Sequence, residues 1–254
     1  RLMRHCSTSC AGAKNRCRML VSKELPRHVG VVVIGGGIVG TSIAYHLAKL
    51  GAPDVVLIER ETLTSGTTWH AAGIVGSLRA SIFLTKLTVE ACHLFPALEI
   101  ETKQATGYRR TGGLSIAQTK ERLEELKRIP AVSALTGIDG ELLTPAEVHE
   151  KSPILEVSDL TGGVWIPWDG QTNPTDTTMA FAKGARMFGA KLYEHTAMTG
   201  FKRRNRSVTT VRTNRGDIDC DQVVLSCGMW SRHLGNCQKV IIRIVQSHCC
   251  GECK

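Results

Sequence analysis

The sequence predicts an α/β fold built around a parallel, Rossmann-like sheet, with partial antiparallel elements beside it. Three observations carry this. Residues 29–34 are an apolar, mostly β-branched run. Residues 35–40 form a glycine-rich turn that leads into an amphipathic stretch. Residues 55–58 are a second apolar run, closed by Glu59. A strand that is apolar on both faces suits the middle of a parallel sheet, and the whole unit reads as βαβ within about thirty residues.

The elements follow in order. Val29 to Ile34 is the first strand. Residues 38–49 are a helix with Ile38, Val39, Ile43, Ala44 and Leu47 apolar, and Gly51 stops it. Val55 to Ile58 is the second strand. A polar Ser/Thr/Gly stretch, 62–68, leads to Trp69-His70-Ala71-Ala72-Gly73. Residues 84–104 read as a helix, and 107–117 as two strands joined by a tight Gly112-Gly113 turn. Residues 119–128 are a charged helix. Thr144-Pro145-Ala146-Glu147 opens another, with proline at its first position and an acid in its first turn. Residues 160–167 are a strand. Asn173 caps a helix over 174–189. Residues 190–226 alternate apolar and polar in short strands and end in Val223-Val224-Leu225.

The chain has 254 residues, 42% of them apolar and 22% charged, an ordinary balance for a globular protein. No apolar run approaches the roughly 18 residues of a membrane span. The net charge of +9 is uneven: +6 over residues 1–29, −3 over 30–200 and +6 over 201–254. With positive charge at the ends and few aromatics, a nucleic-acid-binding core is not expected. Residues 1–28 read as a basic targeting segment of mitochondrial type, without the apolar stretch of a secretory signal. The first residue is Arg1, which suggests a fragment or a processed product. Cys92, Cys220 and Cys227 in the body read as reduced and structural, since a chain of this size needs no disulfide framework.

Gly35-Gly36-Gly37-Ile38-Val39-Gly40 matches G-x-G-x-x-G between a strand and a helix. Gly35 permits the tight turn, Gly37 lets a pyrophosphate approach the backbone, and Gly40 allows close helix–strand packing. Phosphates would sit on the helix N-terminus. Glu59, 19 residues after Gly40, can accept from ribose hydroxyls and would repel the 2′-phosphate of NADP. These residues specify a dinucleotide and leave FAD and NAD both open.

The stretch Ser65-Gly66-Thr67-Thr68-Trp69-His70-Ala71-Ala72-Gly73-Ile74 resembles the FAD-dependent dimethylglycine and sarcosine dehydrogenases of the glycine/D-amino-acid oxidase superfamily. The resemblance covers roughly residues 28–235. It continues through Tyr108 to Ala117, Ile166-Pro167-Trp168-Asp169-Gly170, Asn173-Pro174, Thr178 to Gly189, and Asp221 to Trp230. It implies an FAD-binding domain followed by elements of an antiparallel substrate domain, here truncated. It implies FAD bonded covalently to His70. It places cofactor contacts at Gly35, Gly37, Ile38, Val39, Gly40, Glu59, Arg60, Gly66, Thr67, Thr68, Trp69, His70, Ala71, Ala72, Gly73 and Ile74. It adds Met198 near the adenine side, and Gly228 and Trp230 on the late strand that returns to the sheet.

In that family an N-methylated glycine loses a hydride from its N-methyl carbon to the flavin. Electrons then leave through a separate electron-transfer flavoprotein in the mitochondrial matrix. Family members are considerably longer, and their substrate-gripping sheet comes later in the chain. The expected organisation is therefore a targeting segment over 1–28, an incomplete oxidoreductase domain over 29–235, and a divergent Cys-rich tail over 236–254. The tail has Cys250-Gly251-Glu252-Cys253 in C-x-x-C spacing but no second ligand pair, so no metal is assigned. Arg109 and Arg110 could pair with a carboxylate, although an arginine in an exposed hairpin is ordinarily a solvated charge. The alternative to an enzyme is a non-catalytic relative like the pyruvate dehydrogenase phosphatase regulatory subunit. That relative resembles the same family without the Trp-His pair.

Overall fold

The structure, a computed structural model, describes residues 24–237 except 80, 131–134, 136 and 206. Most of the basic head and of the Cys-rich tail lies outside the described residues, and so does the C-x-x-C pair.

β1 (His28–Ile34) and β2 (Val55–Ile58) run parallel, joined by α1 (Ile38–Lys49). β8 (Lys191–Tyr193) adds in parallel to the outer side of β2. On the other side, β1 pairs in parallel with β11 (Gly216–Leu225), Val31 opposite Gln222 and Ile34 opposite Leu225. β11 is ten residues long, and its first half also pairs antiparallel with β10 (Ser207–Thr213), which pairs with β9 (Met198–Arg204). The six-stranded order is β8-β2-β1-β11-β10-β9.

Both faces of the parallel strands are covered, which is why β1 and β2 read as unbroken apolar runs. Val31, Val33, Val55 and Leu57 pack against α1 and α5 (Pro174–Met187), with Tyr45, Phe181 and Ala185. Val32, Ile34, Val56 and Ile58 pack on the other side against Val211, Ile218 and Cys220 of the meander. α2 (Ile82–Thr102) lies outside α5, and Leu98 completes the helical layer. Ser81 caps α2, so the helix begins and ends two residues earlier than its sequence pattern suggests. Asn173 accepts from the N–H groups of Thr175 and Asp176, as its position before Pro174 predicts.

Beside this sheet sits an antiparallel one, ordered β4 (Gly113–Ala117), β6 (Gly162–Ile166), β5 (Glu141–Leu143). α3 (Lys120–Leu126) follows β4, and α4 (Pro145–Lys151) follows β5 with a Thr144/Glu147 capping box. A two-stranded ribbon, β3 (Ile74–Val75) with β7 (Gly170–Gln171), links the two regions.

The expected hairpin over 107–117 does not form. Arg109 bridges to Gln171, while β4 pairs with β6. Gly112 and Gly113 serve close approach instead of a strand reversal. A Cβ on Gly112 would stand 2.0 Å from the Trp165 ring, and one on Gly113 2.4 Å from Asp169.

Candidate cofactor-binding site

The glycine turn leaves β1 at the C-terminal edge of the parallel strands. Gly35 has φ +115°, and a Cβ there would lie 2.4 Å from the Ser226 carbonyl oxygen. Its N–H donates to the Ile58 carbonyl at 2.9 Å. Only glycine takes this conformation in this space. A Cβ on Gly40 would lie 1.9 Å from the Gly35 carbonyl oxygen, so α1 is pressed directly against the turn. Above Gly37 the space is open except for the Thr68 hydroxyl at 3.0 Å. Val39 is half exposed at the start of the helix.

Glu59 ties two loops together. One carboxylate oxygen accepts from the Gly36 N–H at 2.6 Å and the other from the Glu61 N–H at 3.0 Å. The ribose-binding carboxylate expected from sequence is thus held at the turn by charge-assisted bonds, each oxygen keeping further acceptor capacity. The Glu59 carbonyl accepts from the Thr196 N–H at 2.7 Å. That contact brings Met198, which opens β9 two residues later and is half-buried against the meander-side core, to the same end of the fold.

The loop after Glu59 folds over the turn. Thr68, Trp69 and His70 form one 3-10 turn. The Thr68 hydroxyl accepts from the Ile38 N–H at 3.1 Å, capping α1 from thirty residues away in sequence. The sequence gives no local sign of this role. Trp69 and His70 are exposed, their rings in contact with centroids 3.8 Å apart and planes tilted by 34°. Ala71 and Ala72 continue outward. Gly73 turns the chain with φ +77°, where a Cβ would meet the Thr172 carbonyl at 2.1 Å, and Ile74 enters the ribbon largely exposed.

The far wall comes from the end of β11. Ser226 donates through both its N–H and its hydroxyl to the Ile34 carbonyl, each at 2.8 Å, and so clamps β11 to the turn. Gly228 has φ +55°, and a Cβ there would stand 3.6 Å from the Thr67 hydroxyl. A Cβ on Gly66 would lie 3.5 Å from the Trp230 ring, which the Arg60 guanidinium covers at 4.7 Å. Arg60, Gly66, Thr67, Gly228 and Trp230, up to 170 positions apart in the chain, therefore meet. Ser226 is a structural tie that sequence reading leaves unassigned, and Thr68, expected only as a cofactor contact, is also a cap for α1.

Cys227 stands at this junction, its thiol 3.4 Å from the Ile34 carbonyl. Burial, reinforced by the Glu59 charge, pushes its pKa up to about 12, with Arg60 opposing. The neutral thiol is not a nucleophile at physiological pH. Iodoacetamide at pH 8 is expected to label Cys227 at least tenfold more slowly than a short unfolded peptide containing a cysteine, as read by mass spectrometry. The folded state keeps the proton to higher pH than the unfolded chain. Stability linked to this thiol is therefore present below the ordinary cysteine value of 9.0 and declines as pH rises from there towards about 12. Cys92, Cys220 and Cys227 are free thiols, as expected.

Among the described residues no cluster of three or more His, Cys, Asp or Glu side chains could hold a metal ion. Among the described residues no helix is long and apolar enough to cross a membrane.

Comparison with known proteins gives the same cofactor class. The family model described as FAD dependent oxidoreductase matches residues 30–250. The mouse mitochondrial pyruvate dehydrogenase phosphatase regulatory subunit is 40% identical over 214 residues, covering 84% of this chain and 24% of that protein. Mouse mitochondrial sarcosine dehydrogenase is 39% identical over 233 residues, covering 89% of this chain and 25% of that protein. Rat mitochondrial dimethylglycine dehydrogenase is 37% identical over 204 residues, covering 80% and 24%. The chain thus spans about a quarter of the length of these relatives. Among solved structures, L-proline dehydrogenase from P. horikoshii superimposes with a TM-score of 0.79 at 32% identity, covering 84% of this chain and 56% of that one. Glycine oxidase from Geobacillus kaustophilus gives 0.74 at 30%, covering 83% and 58%. Fold, glycine turn and sequence agree, and the chain belongs to the DAO family of FAD-dependent oxidoreductases.

Proposed function

We propose that this chain is the cofactor-binding portion of a dehydrogenase of N-methylated glycines, sarcosine or dimethylglycine, with FAD bonded covalently to His70. The observation that carries the reading is the position of the Trp69-His70 turn. Its first residue, Thr68, caps the helix whose N-terminus would receive the phosphates, so His70 is tethered to the mouth of the cofactor cleft.

The residues present fit the group. Gly35 and Gly40 let the turn and the start of α1 pack closely, and Gly37 leaves the space above the turn open for phosphates to approach the backbone. The start of α1, at Ile38 and Val39, favours the pyrophosphate. Glu59, already fixed by Gly36 and Glu61, has acceptor capacity for ribose hydroxyls. Met198 would lie on the adenine side. Arg60, Gly66, Thr67, Gly228 and Trp230 would close over the cofactor, with Ala71, Ala72, Gly73 and Ile74 along it. When bound, FAD supplies a two-electron acceptor for hydride. Exposed Trp69, Ile74 and Met229 offer apolar surface that would exclude water from one side of that reaction.

The substrate's carboxylate grip, the electron-transfer flavoprotein as acceptor and a place in the mitochondrial matrix belong to this proposal as features of the whole protein. Its support is the mitochondrial naming of the relatives and the basic residues at 1–23. The domain limits, 29–235 for the oxidoreductase part with flanking segments at 1–28 and 236–254, are proposed with it.

A second reading has its own support, since the phosphatase regulatory subunit is as similar as the dehydrogenases. One experiment separates them. The purified chain is denatured in acid and precipitated, and the pellet is examined for flavin fluorescence. Retained flavin is expected, and in His70→Ala it should appear wholly in the supernatant. The exposed His70 makes this variant structurally mild, within about 0.5 kcal/mol of the parent. Flavin released from the parent chain would remove the covalent link, and a soluble chain without flavin would favour the regulatory reading.

A further inference from the structure

Away from the cofactor cleft lies a second concavity of about 400 Å³, lined by Cys92, His93, Pro96, Tyr108, Arg110 and Trp168. Its volume is within the range of about 300–1,000 Å³ usual for small-molecule sites. Arg110 is exposed, as a solvated charge would be, although the hairpin expected around it does not form, and its guanidinium is held in a defined plane. Its guanidinium carbon lies 3.6 Å from the centre of the Trp168 ring, and its Nε donates to the Pro167 carbonyl at 3.2 Å. Stacking and this single anchor set the plane of the group. They leave its two terminal amino groups without a hydrogen bond or ion pair among the described residues.

The His93 ring meets the same indole edge-on, centroids 5.3 Å apart, and its nitrogens likewise carry no hydrogen bond among the described residues. The lining contains a permanent cation and no carboxylate. The neighbouring Asp169 is engaged elsewhere, one oxygen accepting from the Ser77 N–H at 2.6 Å and the Ser77 hydroxyl at 2.7 Å. The Cys92 thiol points to the Trp168 carbonyl at 3.8 Å. Tyr108 contributes its ring. Its hydroxyl is buried without a hydrogen bond of normal geometry, and desolvation beside Cys92 keeps it protonated well above the usual tyrosine range.

A guanidinium held flat with its terminal fork open matches a planar carboxylate, which it binds through two parallel bonds. The indole, the proline and the tyrosine ring offer walls for an apolar body. We propose that this concavity binds a small organic carboxylate, gripped by Arg110 and His93 and packed on Trp168 and Pro96. The site shares no residue with the cofactor cleft and does not rest on the flavin reading.

Calorimetric titration of the full chain with phenylacetate, its neutral isostere 2-phenylethanol and inorganic phosphate tests it. Phenylacetate should saturate and bind at least tenfold more tightly than either of the others. Arg110→Gln should weaken it at least tenfold, and Arg110→Lys should restore part of the loss, because lysine keeps the charge without the fork. Near-UV circular dichroism checks folding. Should Arg110→Gln unfold the chain, His93→Gln, an exposed side chain, carries the same test and should weaken phenylacetate at least threefold. Absence of saturation, undiminished binding in a folded Arg110→Gln, or phosphate or 2-phenylethanol binding as well as phenylacetate would overturn the proposal.

Discussion

Gly40→Ala is expected to abolish flavin retention and to lower stability by at least the upper end of the about 1–3 kcal/mol typical of overpacking. Two effects compete at this position. Alanine is the better helix former by about 1 kcal/mol, which alone would stabilise α1. The added methyl, however, would stand 1.9 Å from the Gly35 carbonyl oxygen and 2.7 Å from the Ser226 hydroxyl oxygen. The first neighbour is backbone, and that backbone is pinned between β2 and β11. Relief therefore requires α1 to move outward by more than an ångström. That shift would carry the N–H groups of the helix start away from the cradle above Gly37 and stretch the bond from Ile38 to Thr68. Clash should outweigh propensity. Urea denaturation and visible flavin absorbance of the purified variant check both halves of the prediction. A variant as stable and as yellow as the parent would show that the turn is not the rigid seat described here.

Phe181→Ala is expected to cost about 3–5 kcal/mol, the range for removing a large buried aromatic. Phe181 is 2% exposed at the junction of three helices. Its ring lies 5.5 Å from Tyr45 and 6.4 Å from Phe95, joining α5 to α1 and to α2. Its loss would leave a cavity directly behind the sheet. Flavin should still bind to whatever fraction remains folded, because the rings Phe181 packs against, Tyr45, His46 and Phe95, are not cofactor residues. The melting temperature should therefore fall while the flavin content of the folded fraction stays constant. Thermal denaturation followed by circular dichroism, with flavin measured on the soluble chain, distinguishes this from the Gly40 effect.

The parts of the fold that could be read from sequence are those whose signal is local. β1, α1 and β2 are contiguous, and the apolar runs, the glycine spacing and Glu59 all fall within thirty residues. Asn173 and Thr144 announce their helices in the same way. What could not be read is which distant strands meet. Nothing in Val223-Val224-Leu225 itself says that it lies beside β1, a return that only the family resemblance implied, and nothing says that the preceding residues turn back through two antiparallel partners. Gly112-Gly113 suggested a turn because adjacent glycines usually supply one. Here Trp165 and Asp169, fifty residues on, set the need for the absent side chains.

The candidate site divides similarly. Gly35, Gly37, Gly40 and Glu59 carry their chemistry in their spacing. Trp69, His70, Met198 and Trp230 were identified through family resemblance. The structural ties made by Thr68 and Ser226 exist only once the chain has folded, and a lone threonine or serine carries no signal for them.

The position of β11 has a consequence for biosynthesis. β1 is among the first described segments to leave the ribosome, yet its partner on one side, residues 219–225, emerges roughly 190 residues later. Until then an apolar strand in the middle of the future sheet has an open edge, and such an edge is a template for pairing with other chains. Contacts so remote in sequence also close slowly. A nascent chain of this protein therefore carries an uncovered apolar strand edge until residues 219–225 have been made. Chaperone binding to residues 28–34 during synthesis would protect the same edge that Gly216–Leu225 covers in the finished fold.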